Sequence, residues 1–322
     1  MKTKRILAAF LFCSALIGTV SAKDLKVLMI GNSFSICVGT YLPQIVHSFP
    51  EHSLELTSAY IGGCTLDRHV RCIKAAEKDP DAGKYLISIW NSRLSDPTSA
   101  QRYYGNLIDV LKKQPYDIVT IQQGSVKSWI RESYEPYAGE LISFVRKCQP
   151  DAEIVIQQTW SYRIDAPQLE RFKVDQTGMY EGLRDAYRAL AEKYKFRVIP
   201  TGDAIQLFRK YTPVKYQPPA SDKTFEYPEL PSCAGDAVGS AQWAQSKDQP
   251  GARKLTYDWI HLNKNGKYLQ ACLWFSFLYG EAADKIALVP EDIPQDMAVL
   301  LRRCAKEALA AYPQTAGKNE KK

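Results

Sequence analysis

No Cys-x-x-Cys pair occurs in these 322 residues, and histidine is scarce: His47, His52, His69 and His261. Their spacing matches no metal-ligand set, which argues against a zinc site. No Gly-x-Ser-x-Gly pentapeptide is present, so a mid-chain nucleophile elbow is excluded. Beyond the N-terminal region, no apolar run is long enough to span a bilayer. Internal repeats and low-complexity linkers are also lacking. So is a strong charge of one sign, the chain having 42 basic and 35 acidic residues. That balance is too weak and too scattered to argue for a nucleic-acid partner.

The composition is that of a globular protein, with 45% apolar and 24% charged residues. The start is different. Lys2, Lys4 and Arg5 precede a mostly apolar run from Ile6 to Val20, and Val20-Ser21-Ala22 offers small residues. This pattern reads as a secretory signal cleaved after about Ala22. It implies a secreted or periplasmic protein with no integral membrane segment in its mature form. Cleavage removes three of the 42 basic residues and no acidic one, leaving 39 against 35, a net +4. Of eight cysteines, Cys13 is lost with the signal. Among the remaining seven, Cys64 and Cys72 are close enough in sequence to bridge in an oxidising compartment. Cys37 and Cys272 read as buried thiols. Residues 23–312 are expected to form one domain, followed by a frayed tail over 313–322.

Strands and helices alternate along the chain. Short apolar runs predict strands at 26–30, 54–60, 117–122, 153–158 and 196–200. Helical periodicity is expected over 35–47, 99–113, 137–148, 180–194, 203–211, 264–279 and 293–311. Such alternation predicts an α/β fold, a three-layer α/β/α sandwich around a mostly parallel five-stranded sheet. Sites in such sheets lie beyond the carboxyl ends of the strands. That rule selects Gly31-Asn32-Ser33, Gly62-Gly63, Gln122-Gln123-Gly124 and Gln158-Thr159-Trp160. The stretch 212–254, with six prolines, breaks the rhythm. It is a loop insertion, either a wall of the cleft or a surface excursion.

Two segments carry chemistry. Gly31-Asn32-Ser33-Phe34-Ser35 follows a strand and opens a helix. A serine there has its hydroxyl near unpaired backbone N–H groups able to hold an anion. The bland alternative is an N-cap, and Ser35 is a local rival. Asp258-Trp259-Ile260-His261 supplies what a serine nucleophile needs, a base and a carboxylate to orient it. One loop just before a helix could present both. The other three histidines compete poorly as the base.

Together these blocks resemble the SGNH (GDSL-like) hydrolases, in a bacterial branch whose first block is Gly-Asn-Ser-Phe-Ser. Ile61-Gly62-Gly63-Cys64-Thr65 resembles the second block. Asp258-x-x-His261 resembles the last. The third block normally holds Gly-x-Asn; here Ile121-Gln122-Gln123-Gly124-Ser125 looks more like the Gln-Gly-Glu version of sialate O-acetylesterase-like relatives. The resemblance implies a flavodoxin-like fold, no cofactor, and a catalytic Ser33, His261 and Asp258. Its oxyanion hole would use the N–H groups of Ser33 and Gly63 and the Gln123 amide. Asn32, His69, Trp160 and Tyr162 would contact substrate. Trp90, Trp129 and Trp243 are further aromatic candidates for stacking on sugars. The expected activity is ester hydrolysis on a small-molecule or glycan ester, with removal of acetyl groups from carbohydrate favoured. A lipase or thioesterase with the same triad, and an inactive carbohydrate-binding protein, are the alternatives.

Overall fold

The computed structural model describes residues 22–246 and 251–312. The signal and tail expected at the two ends lie outside the described residues.

Seven strands form the main sheet: β1 Lys23–Gly31, β2 His52–Tyr60, β3 Tyr85–Asn91, β4 Ala100–Gly105, β5 Ile118–Ile121, β6 Glu153–Gln157 and β7 Val198–Ile199. Their spatial order is β4-β3-β2-β1-β5-β6-β7. The five expected strands, β2-β1-β5-β6-β7, are parallel. Counted by themselves they run 2-1-3-4-5, the flavodoxin-like order. Two strands beyond the expected five, β3 and β4, extend this sheet antiparallel at the β2 edge.

Helices cover both faces. On one side are α1 Ser33–Ile36, α2 Leu42–His47, α8 Thr201–Tyr211, α9 Lys264–Tyr279 and α10 Gln295–Ala311; on the other are α3 Leu66–Lys78, α4 Leu107–Lys113, α5 Tyr137–Cys148 and α7 Gln176–Tyr194. A short helix, α6, spans Pro167–Phe172. The period-2 geometry of β1 divides its side chains between two cores. Val27 and Met29 enter the first, while Leu28 and Ile30 enter the second. α9 is buried almost all round, from Tyr268 through Tyr279. It is therefore an internal helix, packed between α10 and α2.

Three local expectations are revised. The helix expected over 35–47 is broken into α1, a 3-10 turn at Cys37–Thr40, and α2. Pro43 occupies the first turn of α2, where its missing N–H costs nothing. The helix expected over 99–113 is strand β4 followed by α4. Gln101-Arg102-Tyr103-Tyr104 is solvent-exposed, with no helical face to bury. Asn106 then caps α4 by accepting from the Asp109 N–H. The loop expected over 212–254 ends in a strand. β8 Val238–Gln245 pairs antiparallel with β9 Arg253–Leu262 as a separate two-stranded ribbon. The expected loop carrying Asp258 and His261 is thus a strand.

All seven described cysteines are free thiols. Cys64 and Cys72 do not bridge. Burial pushes both thiols up, Cys64 to about 12.

Candidate active site

The strand order reverses between β1 and β5, so a crevice opens beyond their carboxyl ends. Ser33 stands at its edge as the first residue of α1. It is not the cap. Asn32 takes that role, its Oδ1 accepting from the Phe34 N–H at 2.9 Å. Gln122 Nε2 donates to the same oxygen at 2.7 Å. The Ser33 hydroxyl is therefore left for other work. The rival Ser35 is buried and donates back to the Asn32 carbonyl at 2.9 Å.

From β9, His261 Nε2 lies 2.8 Å from Ser33 Oγ. His261 Nδ1 lies 2.7 Å from Asp258 Oδ2. The other oxygen, Oδ1, accepts from the N–H groups of Ile260 and His261 at 2.9 and 3.0 Å. Burial raises the Asp258 carboxyl, but the hydrogen bonds from the His261 ring and these two N–H groups outweigh it and lower the carboxyl to about 2. It is a fixed anion on the far side of the imidazole. Two segments 228 residues apart thus form one continuous hydrogen-bond chain.

The ribbon is held in register from the sheet side. Trp160 Nε1 donates to the Ile260 carbonyl at 2.9 Å, and the Arg163 N–H donates to that of Trp259 at 3.0 Å. Asn263 caps α9 and donates through Nδ2 to the carbonyls of Asp236 and Gly239.

The Ile61–Cys64 turn is tied to the segment that carries Ser33. Asn32 Nδ2 donates to the Cys64 carbonyl at 2.9 Å, and the Ile61 N–H to the Gly31 carbonyl at 3.2 Å. Gly63 has φ +59°, a conformation glycine adopts without strain. Among the described residues, neither the Ser33 nor the Gly63 N–H has a protein partner.

Five expected contacts are corrected. Gln123 does not face Ser33: its Oε1 accepts from the Leu66 and Gly124 N–H groups, and its Nε2 donates to Ser133. The amide is committed to holding the start of α3. His69 is fully buried, with Nδ1 3.0 Å from the Tyr85 hydroxyl, and burial pushes its imidazole down to about 3. Trp160 and Tyr162 are buried too. Trp160 stacks on Phe34, and the Tyr162 hydroxyl meets Ser125 Oγ at 2.8 Å. None of these rings offers a free face for a sugar. Asn32 is likewise buried, and it organises the loop from within.

Other residues are found instead. Ser33 and His261 line a cleft of 590 Å³ with Thr40, Trp90, Arg102 and Lys267. A neighbouring groove of 540 Å³ runs along β9, lined by Gln168, Ser240, Gln242, Tyr257 and Trp259. Tyr257 and Trp259 stack on one another with centroids 5.5 Å apart. The alternation Tyr257-x-Trp259-x-His261 is a strand signal that could have revealed this groove.

Among the described residues, Glu51, His52 and Glu281 are the one cluster with metal-ligand spacing. It lies at the opposite end of β1 and β2 from Ser33. There His52 Nδ1 accepts from the Lys23 N–H, which leaves the ring proton on Nε2, 4.0 Å from Glu281. That proton stands where a metal would bind.

The fold and site define a flavodoxin-like α/β protein with a linked serine, histidine and aspartate at the carboxyl edge of its sheet. A family model described as a domain of unknown function (DUF4886) matches residues 26–215. The chain belongs to that family. The matched segment contains Ser33 and ends before Asp258. A crystal structure of a DUF4886 family protein from Bacteroides uniformis shares the fold, with a TM-score of 0.71 and 24% identity over 91% of this chain and 96% of that one. Looser likenesses include a protein from Slackia heliotrinireducens described as a candidate SGNH hydrolase, with a TM-score of 0.44 and 17% identity over 77% and 96% of the two chains. Another is Axe2, an acetylxylan esterase from Geobacillus stearothermophilus, with a TM-score of 0.34 and 18% identity over 56% and 77%. The comparison with curated proteins finds no match.

Proposed function

We propose that the protein is a secreted serine esterase that removes acetyl groups from carbohydrates. The observation that carries this reading is the hydrogen-bond chain from Ser33 Oγ through His261 to Asp258, with contacts of 2.8 and 2.7 Å.

In this mechanism His261 Nε2 takes the Ser33 proton as Oγ attacks the ester carbonyl. Asp258 keeps the other ring proton on Nδ1 and stabilises the imidazolium that forms. The Ser33 and Gly63 N–H groups stabilise the oxyanion. As the tetrahedral intermediate collapses, the C–O bond to the sugar breaks and His261 protonates the departing sugar oxygen, releasing the hydroxyl and leaving an acetylated serine. Water, deprotonated by the same imidazole, attacks that ester, and acetate leaves as Ser33 regains its proton.

Sugar is favoured over an acyl chain by the groove along β9. Gln168, Ser240 and Gln242 offer hydrogen bonds, and the Tyr257–Trp259 pair offers an apolar face. The cleft at Ser33 mixes apolar residues such as Ile36, Trp90 and Leu262 with the cations Arg102 and Lys267, and those cations argue against a long-chain lipase. Secretion rests on the charged start and apolar run at residues 2–22. No helix among the described residues is long and apolar enough to cross a membrane.

A fluorophosphonate probe with peptide mapping tests the nucleophile. Labelling at Ser33, lost in Ser33→Ala, is expected. A folded wild-type chain that takes no label and hydrolyses no acetyl ester overturns the reading.

A further inference from the structure

The cleft at Ser33 holds two cations without counterions. Arg102 lines it from β4, and Lys267 lines it from the start of α9. Among the described residues neither guanidinium nor ammonium makes a hydrogen bond or ion pair to a carboxylate. The carboxylate that shares the lining, Asp258, is committed to His261. The nearby Asp96 is turned onto the N–H and hydroxyl of Thr98, in its own loop.

Folding gains little from this arrangement. Lys267 sits in the first turns of α9, near the positive pole of the helix, where a cation is disfavoured. No acidic residue in the first turn of α9 offsets it. Its neighbour Lys264 is paired with Asp292, whereas Lys267 turns inward to the cleft. Arg102 stands on an exposed edge strand and could point to water, yet it lines the same cavity. An arginine and a lysine that line one cleft attract an anion, and the planar guanidinium suits the paired oxygens of a carboxylate or sulfate.

We propose that Arg102 and Lys267 form an anion subsite, so that the preferred substrate is an ester of an acidic sugar. This deepens the esterase reading and rests on it for the chemistry. The charged group would lie beside the reacting ester within the same 590 Å³ cleft, and the two cations would set specificity without touching the reacting atoms.

The test compares mono-acetylated methyl glucoside with mono-acetylated methyl glucuronate and with the acetylated glucoside 6-sulfate. At low salt, kcat/KM is expected to be about tenfold higher for an acidic ester, with the advantage shrinking as salt rises. Glucuronate leading identifies a carboxylate site, and the 6-sulfate leading identifies a sulfate site. In R102Q/K267Q the acidic-to-neutral ratio should fall close to one, with thermal unfolding reporting that the variant is folded. Equal or better turnover of the neutral ester overturns the proposal. Calorimetric binding of the same three esters to Ser33→Ala gives a readout that needs no hydrolysis. Acidic esters binding about tenfold tighter there, with a hydrolytically dead wild type, sinks the esterase reading and keeps the subsite. Equal binding of all three sinks the subsite alone.

Discussion

Phe34 lies flat on Trp160, ring centroids 4.0 Å apart and planes 5° from parallel, and its ring meets His261 edge-on at 5.7 Å. Phe34 follows Ser33 directly, and Trp160 holds the strand that carries His261. The stack therefore fixes the distance between the two.

Trp160→Phe keeps an aromatic ring and deletes the hydrogen bond to the Ile260 carbonyl. That partly buried carbonyl loses its partner, at a cost of about 1 kcal/mol. Steady-state kinetics on p-nitrophenyl acetate should show kcat reduced about tenfold, since small misplacements of a base are expensive. An unchanged kcat would mean that the ribbon is positioned by its other contacts.

Asp258→Asn should lower kcat by on the order of 10³–10⁴, because the amide no longer fixes the ring tautomer. The wild-type carboxyl sits at about 2, below an unfolded value of about 3.9. Its stabilising contribution is thus complete above about pH 5 and is lost only as pH falls toward 2. An activity–pH profile should accordingly show no Asp258 titration between pH 4 and 9.

His69 gives the opposite pH signature. Burial holds its imidazole at about 3, against 6.5 when free. Between these values the unfolded chain binds one more proton than the folded one, so stability falls as pH falls below 6.5. The loss between pH 7 and 5 should be about 2 kcal/mol, measured by denaturant unfolding. His69→Gln should remove that slope. The buried Nε2, which has no hydrogen-bond partner, leaves a second proton without an acceptor.

Gln123→Leu separates a structural from a catalytic amide. The Leu66 N–H at the start of α3 would lose its acceptor. Stability should drop by about 1–3 kcal/mol. With kcat changed by less than about threefold, the amide is structural; a fall near the ~3 kcal/mol of a lost oxyanion donor would restore it to that role.

Much of this architecture was legible in the residues. The five parallel strands announced themselves as short apolar runs, and α5 and α9 begin and end where periodicity placed them. Edges and ribbons were not legible. β4 has no buried face, so its alternation carries no hydrophobic signal, and the apolar positions of α4 beside it simulated a longer helix. β9 is half-buried along its length, which blurs the contrast on which period-2 reading depends. At the site, the sequence pointed to Ser33, Asp258 and His261, which the structure brings into hydrogen-bond contact. It could not distinguish the two glutamines after β5. Adjacent residues there diverge, Gln122 toward Asn32 and Gln123 toward Ser133, and only tertiary packing decides which goes where. Sequence reports ring identity without exposure, so a buried aromatic such as Trp160 reads as a sugar platform.

Ser33 follows the central strand of the sheet, whereas His261 arrives on a two-stranded ribbon encoded more than two hundred residues later. A nascent or partly melted chain can own a complete sheet and still have an inert hydroxyl. On the proposed esterase reading, hydrolytic competence would thus certify that the ribbon has docked on the sheet. On warming, turnover of an acetyl ester should fade before the far-ultraviolet dichroism of the sheet does, making activity a gauge of ribbon detachment.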